Sequence, residues 1–318
     1  MSQLVNSKEY PTTHIRTIAL IGHGGSGKTT FSEASLFATG VINRQGRVED
    51  GNTISDYHPD EVERKISINA SILTTEVNDI KINILDTPGY TDFTGEVKAA
   101  LRVVDSAVVL VKGFEGVEVG TEIVWSYVNE YSVPSLFVVN KMDGDNSNFD
   151  QTIAAIKDRC SFDAAVLTFP AQSGNGFNAV IDVLRMKLLR FIPSTKGTYS
   201  EEDIPADLKD KASQLHEELI EKIAESDEAL MDKFFQNGTL SNEEIKKGLH
   251  QGLVGRKIYP IFAASSSTNV GVSNILDFVA NFCPPPSEFA KVKAMDAKTK
   301  KDIEVSISAH GETSLFVF

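Results

Sequence analysis

The sequence is poor in cysteine and has no long apolar runs. Cys160 and Cys283 are the only cysteines in 318 residues, which is too few for a disulfide framework and fits a reducing compartment. Residues 1–13 are polar and lack the apolar core of a signal peptide, and no apolar run approaches the length of a membrane span. The sequence therefore predicts a cytoplasmic protein without a membrane partner.

Positive charge is also scarce. The chain has 31 Lys and Arg against 44 Asp and Glu, a formal net charge of −13. Nonspecific binding to nucleic acid needs many cationic contacts with phosphates, so this balance argues against a protein that coats DNA. It leaves open a local basic patch or docking by shape. The length allows two or three domains with ample cores.

A glycine-rich segment near the N-terminus is the strongest motif. It follows the apolar run 18–21 and reads Gly22-His23-Gly24-Gly25-Ser26-Gly27-Lys28-Thr29-Thr30. This is the P-loop pattern between a predicted strand and a predicted helix. Its glycines let backbone N–H groups curl around phosphate oxygens, Lys28 can reach the β- and γ-phosphates, and the Thr29 hydroxyl can bind Mg²⁺. A glycine-rich turn without a ligand is the alternative that this motif alone leaves open.

Strand-like and helix-like segments alternate along the rest of the chain. This alternation indicates an α/β fold with a mostly parallel central sheet flanked by helices, as in P-loop NTPases. The predicted strands cover 71–77, 81–85, 106–111, 135–139, 164–169 and 257–264. The predicted helices cover 31–38, 97–104, 121–131, 151–159, 201–224, 242–251 and 272–282. The polar stretch 40–65 is predicted to be a long loop, and near a phosphate site such a loop is a candidate switch.

The predicted strand 81–85 runs into Asp86-Thr87-Pro88-Gly89. An acidic residue at the end of a strand next to the P-loop strand can hold Mg²⁺ through water. The Pro88-Gly89 turn would leave a backbone N–H facing the γ-phosphate. Asp-x-x-Gly is common in ordinary turns, and its place after a P-loop is what favours the nucleotide interpretation.

The predicted strand 135–139 ends in Asn140-Lys141-Met142-Asp143, which indicates the nucleotide. The Asp143 carboxylate can accept hydrogen bonds from both N1–H and the 2-amino group of guanine, a donor pair that adenine lacks. Asn140 would reach N7 and also bind the P-loop backbone, and the stem of Lys141 would lie over the base. An ATPase or kinase would leave this tetrad without a purpose.

Together these motifs resemble the GTPase part of bacterial elongation factor G. The resemblance covers about 15–286 and is carried in family order by the segments 46–51, 63–68, 86–93, 115–125 and 265–272. It implies a tail at 1–14, a G domain formed by 15–160 and 254–286, and an inserted α/β subdomain at 161–253. Residues 287–318 would begin a β-barrel domain, with its opening strands predicted at 301–308, which alternates, and at 315–318, which is apolar. The resemblance therefore implies an N-terminal fragment of a longer factor. A tail that is disordered or paired with another chain is the alternative.

The resemblance also implies ligands and partners. Ser67 would bind Mg²⁺ together with Thr29 and Asp86, and backbone N–H groups at Ser265 and Ser266 would face O6 of guanine. The inserted subdomain faces the ribosomal stalk in the family, which makes the ribosome (rRNA and stalk proteins) the implied partner of a monomer. The predicted helix at 201–224 carries an acidic side that is either solvated or docks a basic partner, formed by Glu217, Glu218, Glu221 and Glu225.

Three departures from the family pattern indicate a divergent paralogue. Tyr90 stands where the family has a histidine that orients the attacking water. The Gly24-Gly25 pair replaces Ile-Asp or Val-Asp, which removes a carboxylate near the phosphates and puts in doubt any accessory monovalent cation. The segment Lys65-Ile66-Ser67 replaces Gly-Ile-Thr, although the Ser67 hydroxyl can still reach Mg²⁺.

The sequence thus predicts a GTP- and GDP-binding, Mg²⁺-dependent GTPase switch with Lys28, Gly89 and Tyr90 as its catalytic residues. Tyr90 predicts slow intrinsic hydrolysis, because a phenol is longer than an imidazole and does not titrate near neutral pH. A binding module that signals GTP or GDP occupancy while hardly hydrolysing is the alternative from another class. A ribosomal protection or release-type GTPase would share the same G domain.

Overall fold

The computed structural model describes residues 8–192, 195–289, 291–296, 298–307 and 315–317. Its centre is one large sheet. Across this sheet the described strands follow in the order β2 (Ser71–Val77), β3 (Ile80–Asp86), β1 (Ile15–Ile21), β4 (Ser106–Lys112), β5 (Ser135–Asn140), β11 (Tyr259–Ala263) and β6 (Ala164–Val166). Only β2 and β3 pair antiparallel among these strands. The mostly parallel α/β fold is therefore confirmed.

Helices flank the central sheet, and the functional motifs meet at one edge of it. The helices that follow its strands are α1 (Lys28–Ala38), α3 (Thr94–Leu101), α4 (Val119–Tyr131), α5 (Phe149–Arg159) and α9 (Val272–Phe282). Helix α1 packs against α9, and α3 packs against α4. All six residues of β5 are buried, as expected of a parallel strand covered on both faces. The carboxyl ends of β1, β3, β4 and β5 lie at the same edge, where α/β folds bind their ligands.

A second, antiparallel sheet begins in the chain directly after β6, an edge strand of the central sheet. Its described strands are ordered β10 (Tyr199–Glu202), β9 (Lys187–Phe191), β8 (Ala179–Asp182) and β7 (Thr168–Pro170), and it is accompanied by α6 (Lys209–Glu225), α7 (Glu228–Asn237) and α8 (Asn242–Val254). Two predictions were wrong here. The stretch 164–169 is two strands in different sheets, with Leu167 between them donating its N–H to the carbonyl of Ile261. The helix predicted from 201 begins at Lys209, because 199–202 pairs with β9.

Other boundaries differ less. Helix α3 begins and ends three residues earlier than predicted, and the loop 40–65 contains a short helix, α2 (Pro59–Arg64), with proline at its first position. The C-terminal part forms a hairpin of β12 (Lys291–Met295), which was not predicted, and β13 (Asp302–Ser306). Of the predicted strand 315–318, residues 315–317 are not in a strand and Phe318 lies outside the described residues. The division into a G domain, an insertion and a barrel stays a prediction.

None of the helices in the described part of the chain is both long and apolar enough to cross a membrane.

Asp105, a buried carboxylate outside the motifs, is expected to make stability depend on pH. Its Oδ2 accepts the backbone N–H of Thr17 at 2.8 Å, and burial raises the pKa of Asp105 to about 7. The folded protein therefore keeps a proton that the unfolded chain releases near pH 4. We expect the contribution of Asp105 to the free energy of unfolding to decrease as pH rises from about 4 to about 7, and to change little above that.

Urea unfolding of the nucleotide-free protein across this range measures the effect. Asp105→Asn, which keeps an oxygen for Thr17 and does not titrate, should have a shallower pH dependence than the wild type. Equal slopes for the two proteins would show that Asp105 is ionised in the folded state.

Candidate functional site

The P-loop occupies the connection between β1 and α1. Helix α1 begins at Lys28 directly after the loop, so its N-terminal N–H groups and the positive end of its dipole lie at the loop. Gly27 has a φ of 94°, and a Cβ there would lie 2.4 Å from Nδ2 of Asn140. Only glycine fits this position without displacing Asn140. The loop therefore has the geometry of an anion site.

Lys28 is held inside this loop by its backbone. The ammonium donates to the carbonyl oxygens of Gly22 and His23, both at 3.1 Å. The side chain is buried, and burial lowers the pKa of Lys28 to about 8 despite the opposing effect of Asp86. A phosphate group bound beside it would stabilise the charged form.

Three predicted metal ligands converge next to Lys28. The hydroxyls of Thr29 and Ser67 are 3.0 Å apart, and Asp86 at the end of β3 is buried. Among the described residues, neither carboxylate oxygen of Asp86 has a hydrogen bond of normal geometry. Burial raises the pKa of Asp86 to about 6, although the hydroxyls of Ser55 and Thr29 are near enough to oppose this. A buried carboxylate without a full set of partners fits an interaction with a cation.

Asp56 adds a second carboxylate that the sequence did not single out. It is 6% exposed, and burial raises its pKa. Asp56 in turn raises the pKa of Asp86, so the two acids repel each other in the absence of a cation. No group of three or more His, Cys, Asp or Glu within the described ranges is arranged to hold an ion alone. A Mg²⁺ held here would take its remaining ligands from phosphates and water, as this ion commonly does.

Two buried carboxylates fix residues 40–70, which contain the predicted loop 40–65 and are called the switch segment below: Glu33 ties the segment to α1, and Glu61 folds it on itself. Glu33 on α1 accepts backbone N–H groups of Gly46 at 2.7 Å and Ile54 at 2.5 Å. Glu61 on α2 accepts the N–H groups of Ile68 and Asn69, both at 2.9 Å. These contacts hold the segment so that its Ser67 faces Thr29.

Gly89 and Tyr90 cover the phosphate end of the loop. A Cβ at Gly89 would lie 2.3 Å from Nζ of Lys28, so the turn approaches the lysine as closely as only glycine allows. Tyr90 is 49% exposed, and its Cζ lies 3.5 Å from where a Cβ on Gly24 would stand. The phenol ring therefore lies over the P-loop at Gly24, which has no side chain.

Asn140 joins the P-loop to the loop after β11. Its Nδ2 donates to the carbonyl of Ser26 at 2.9 Å, as predicted, and its Oδ1 accepts the backbone N–H of Ser266 at 2.9 Å. The Ser265 N–H donates to the carbonyl of Val270. The backbone N–H groups of Ser265 and Ser266 therefore both have partners already. To contact guanine O6 as predicted, the N–H of Ser266 would have to share or exchange its hydrogen bond to Asn140. Asp143 accepts the hydroxyl of Ser267 at 2.9 Å.

A continuous cleft runs between these two ends. Adjoining cavities of about 220 Å³ and 580 Å³ meet at residues that line both of them, Gly27, Thr30, Glu49 and Lys141. Predicted residues that line only the first cavity are Gly24, Gly25, Lys28, Thr29, Ser67, Gly89 and Tyr90; those that line only the second are Asn140, Asp143 and Ser266. The remaining predicted residues, Gly22, His23, Ser26, Asp86 and Ser265, are not among the residues lining either cavity. His23 instead contacts Glu118, with 3.2 Å between Nε2 and Oε1.

Sequence reasoning missed several residues that line the cleft or lie beside the P-loop. Asp56 lies in a polar loop whose spacing gives no indication of where its side chains meet. Phe114 lines the second cavity, and Lys112 lies beside Gly25. Lys112 could have been found, because it ends a strand that lies between the P-loop strand and the strand ending at Asn140.

Residues 13–285 match the family model described as the elongation factor Tu GTP binding domain. A crystal structure of a protein from Thermus thermophilus is similar to this chain, with a TM-score of 0.82 and 31% sequence identity. The match covers 87% of this chain and 41% of the Thermus protein. The chain thus spans less than half of the length of that relative.

Proposed function

Since this chain belongs to the family of elongation factor Tu GTP-binding domains, we propose that it is the Mg²⁺-dependent GTPase switch of a divergent elongation factor G-like protein. The observation that carries the proposal is the position of Asn140. One side chain bonds both the carbonyl of Ser26 and the loop at Ser266, beside Asp143. A base selected there would have its phosphates at the P-loop.

The base end of the cleft would select guanine. The Asp143 carboxylate would accept N1–H and the 2-amino group, and the Lys141 stem would cover the ring. Asn140 would fix the loops on both sides. Asp143 is free to do this because its present partner, Ser267, is a hydroxyl that can also donate elsewhere.

At the other end, the protein would bind the triphosphate and orient water. P-loop N–H groups and Lys28 would hold the β- and γ-phosphates, and Gly89 would donate its N–H to the γ-phosphate. Thr29 and Ser67 would hold Mg²⁺, with Asp86 bound to it through water. Bound Mg²⁺ would neutralise charge on the phosphates. Loss of the γ-phosphate would free Gly89 and Ser67, and with them the loop that follows Asp86 and the switch segment.

Tyr90 is expected to limit the rate of hydrolysis. Its hydroxyl can donate one hydrogen bond, but a phenol lacks the basic ring nitrogen with which an imidazole accepts a proton. We expect Tyr90→His to hydrolyse GTP about 100-fold faster than the wild type, which is the lower limit of the range for a positioned acid–base group. Phosphate release, measured with and without ribosomes, tests this after GDP binding has been confirmed by fluorescence titration.

Tyr90→Phe is the matched control, since it keeps the ring over Gly24 and removes only the hydroxyl. If the wild type hydrolyses as fast as Tyr90→His and faster than Tyr90→Phe, the tyrosine itself positions water and the claim of slow hydrolysis is wrong. If only Tyr90→His hydrolyses, the natural protein is a GTP/GDP-binding module, the second function that Tyr90 favours. If the wild type binds no guanine nucleotide, the proposed function is wrong.

The proposed partner is the ribosome, including its stalk, with the chain acting as a monomer. Exposed acidic residues on α6 support a contact with a basic partner; they are Glu217, Glu221 and Glu225. This partner is inferred from the elongation factor G-like proposal.

A further inference from the structure

Lys112 brings a second ammonium group next to the P-loop, on the side where Gly25 has no side chain. It is the last residue of β4, between the P-loop strand β1 and the strand that ends at Asn140. A Cβ placed on Gly25 would lie 3.7 Å from Cε and 3.8 Å from Nζ of Lys112. The side chain is 12% exposed, so its stem is packed and its ammonium stays beside the P-loop.

Lys112 is near enough to Lys28 to affect its charge. Burial is the main cause that lowers the pKa of Lys28, and the positive charge of Lys112 lowers it further. Burial lowers the pKa of Lys112, but Glu115 and Glu118 outweigh this and raise it, so Lys112 stays charged at neutral pH. Two ammonium groups beside one loop favour an anion between them.

We propose that Lys112 is a second phosphate-binding lysine, whose ammonium contacts the phosphate chain of bound guanine nucleotide beside Gly25. The inference rests on the proposed function. The triphosphate carries more negative charge than Mg²⁺ and Lys28 together neutralise, and a lysine at this place supplies further positive charge from within the chain. The absence of a side chain at Gly25 leaves the path from Lys112 to the loop open.

Lys112 also has two carboxylate partners, Glu115 and Glu118. Lys112 forms an ion pair with Glu115 and a second one with Glu118, whose Oε2 is 3.2 Å from Nζ. Glu118 also contacts His23 of the P-loop. These pairs could by themselves be structural, serving only to fix the loop before α4. A structural pair depends on both partners, whereas a phosphate contact depends on the lysine alone.

The test compares Lys112→Met, which keeps the apolar stem, with Glu115→Gln, which keeps the ammonium. We expect Lys112→Met to weaken binding of GTP and GDP about tenfold, the effect of one charged hydrogen bond. We expect Glu115→Gln to leave binding unchanged or make it tighter. Titration at several KCl concentrations adds an independent measure: the dependence of log Kd on log salt should become shallower in Lys112→Met only, because a cationic contact with phosphate is lost.

Equal losses of affinity in the two variants, or an unchanged salt dependence in Lys112→Met, would show that the ion pair is structural and overturn the inference. Wild-type protein that binds no guanine nucleotide would overturn the proposed function and this inference with it. Circular dichroism melting verifies folding, and Lys112→Gln replaces Lys112→Met if the latter does not fold.

Discussion

Asp143→Asn is expected to lose most of its affinity for GDP and GTP and to gain affinity for xanthine nucleotides. The carboxylate offers acceptors to both N1–H and the 2-amino group of guanine, whereas an amide offers one acceptor and turns its N–H₂ toward a donor. The loss of charged hydrogen bonds and the new clash of donors should weaken guanine binding by about 10²- to 10⁴-fold. Xanthine carries an oxygen in place of the 2-amino group, and the new amide can donate to it. Titration of fluorescent GDP and XDP measures both effects.

Asp145→Asn is the matched control, because it makes the same chemical change two residues along the chain at an exposed position. It should leave affinity for GDP within about twofold of the wild type, as surface substitutions usually do. In Asp143→Asn, the new amide oxygen can still accept the hydrogen bond from the Ser267 hydroxyl, so this variant should retain its fold. Retained affinity for GDP in Asp143→Asn would mean that this residue does not contact the base.

The central sheet could be predicted because its signals are local. A strand buried on both faces reads as a continuous apolar run, and β5 and α9 lie where their patterns place them. The P-loop, Asp86 and Asn140 follow the carboxyl ends of parallel strands. Their meeting at one edge of the sheet therefore follows from the order of the motifs.

The second sheet could not be predicted in the same way. Its strands are only three to five residues long, and each is decided by pairing with a neighbour. Residues 201 and 202 are predicted to begin the following helix, yet their backbone pairs with β9. The side chains of Arg190 and Glu202 form an ion pair across that same pair of strands. Tertiary contacts of this kind leave no periodic pattern in the sequence.

The candidate site was predicted where backbone geometry dictates the residue type and missed where the contact is between distant loops. Gly27 and Gly89 must be glycine because the side chains of Asn140 and Lys28, respectively, approach them closely. The sequence motifs contain glycine at these positions for that reason. Asp56 belongs to the switch segment, and it lies near Asp86 because Glu33 and Glu61 hold that segment in its folded conformation. These glutamates have no motif of their own, so the position of Asp56 depends on contacts that spacing does not reveal.

Gly27→Ala should be the most damaging small substitution in the cleft, because it affects the phosphate and base ends together. A Cβ would stand 2.4 Å from Nδ2 of Asn140 at a φ of 94°, and this backbone conformation costs an L-residue about 1–3 kcal/mol. Moving Asn140 would break its bonds to Ser26 and Ser266. We expect affinity for GDP to fall about 100-fold or more, as two lost hydrogen bonds and the strain together imply.

Thermal unfolding with and without saturating GDP measures this result, since a ligand that binds only the folded state raises Tm. The wild type should gain several degrees, while Gly27→Ala should have a lower Tm that GDP hardly changes. Gly95→Ala is the control: apart from its chain neighbours and its own helix, no atom of the described residues would lie within 4 Å of a Cβ there, and alanine suits the helix α3 in which it lies. It should be as stable as the wild type or slightly more so, and keep its response to GDP. A GDP-induced rise in Tm as large in Gly27→Ala as in the wild type would contradict this prediction. It would show that GDP binding does not depend on the P-loop conformation at Gly27 or on the position of Asn140.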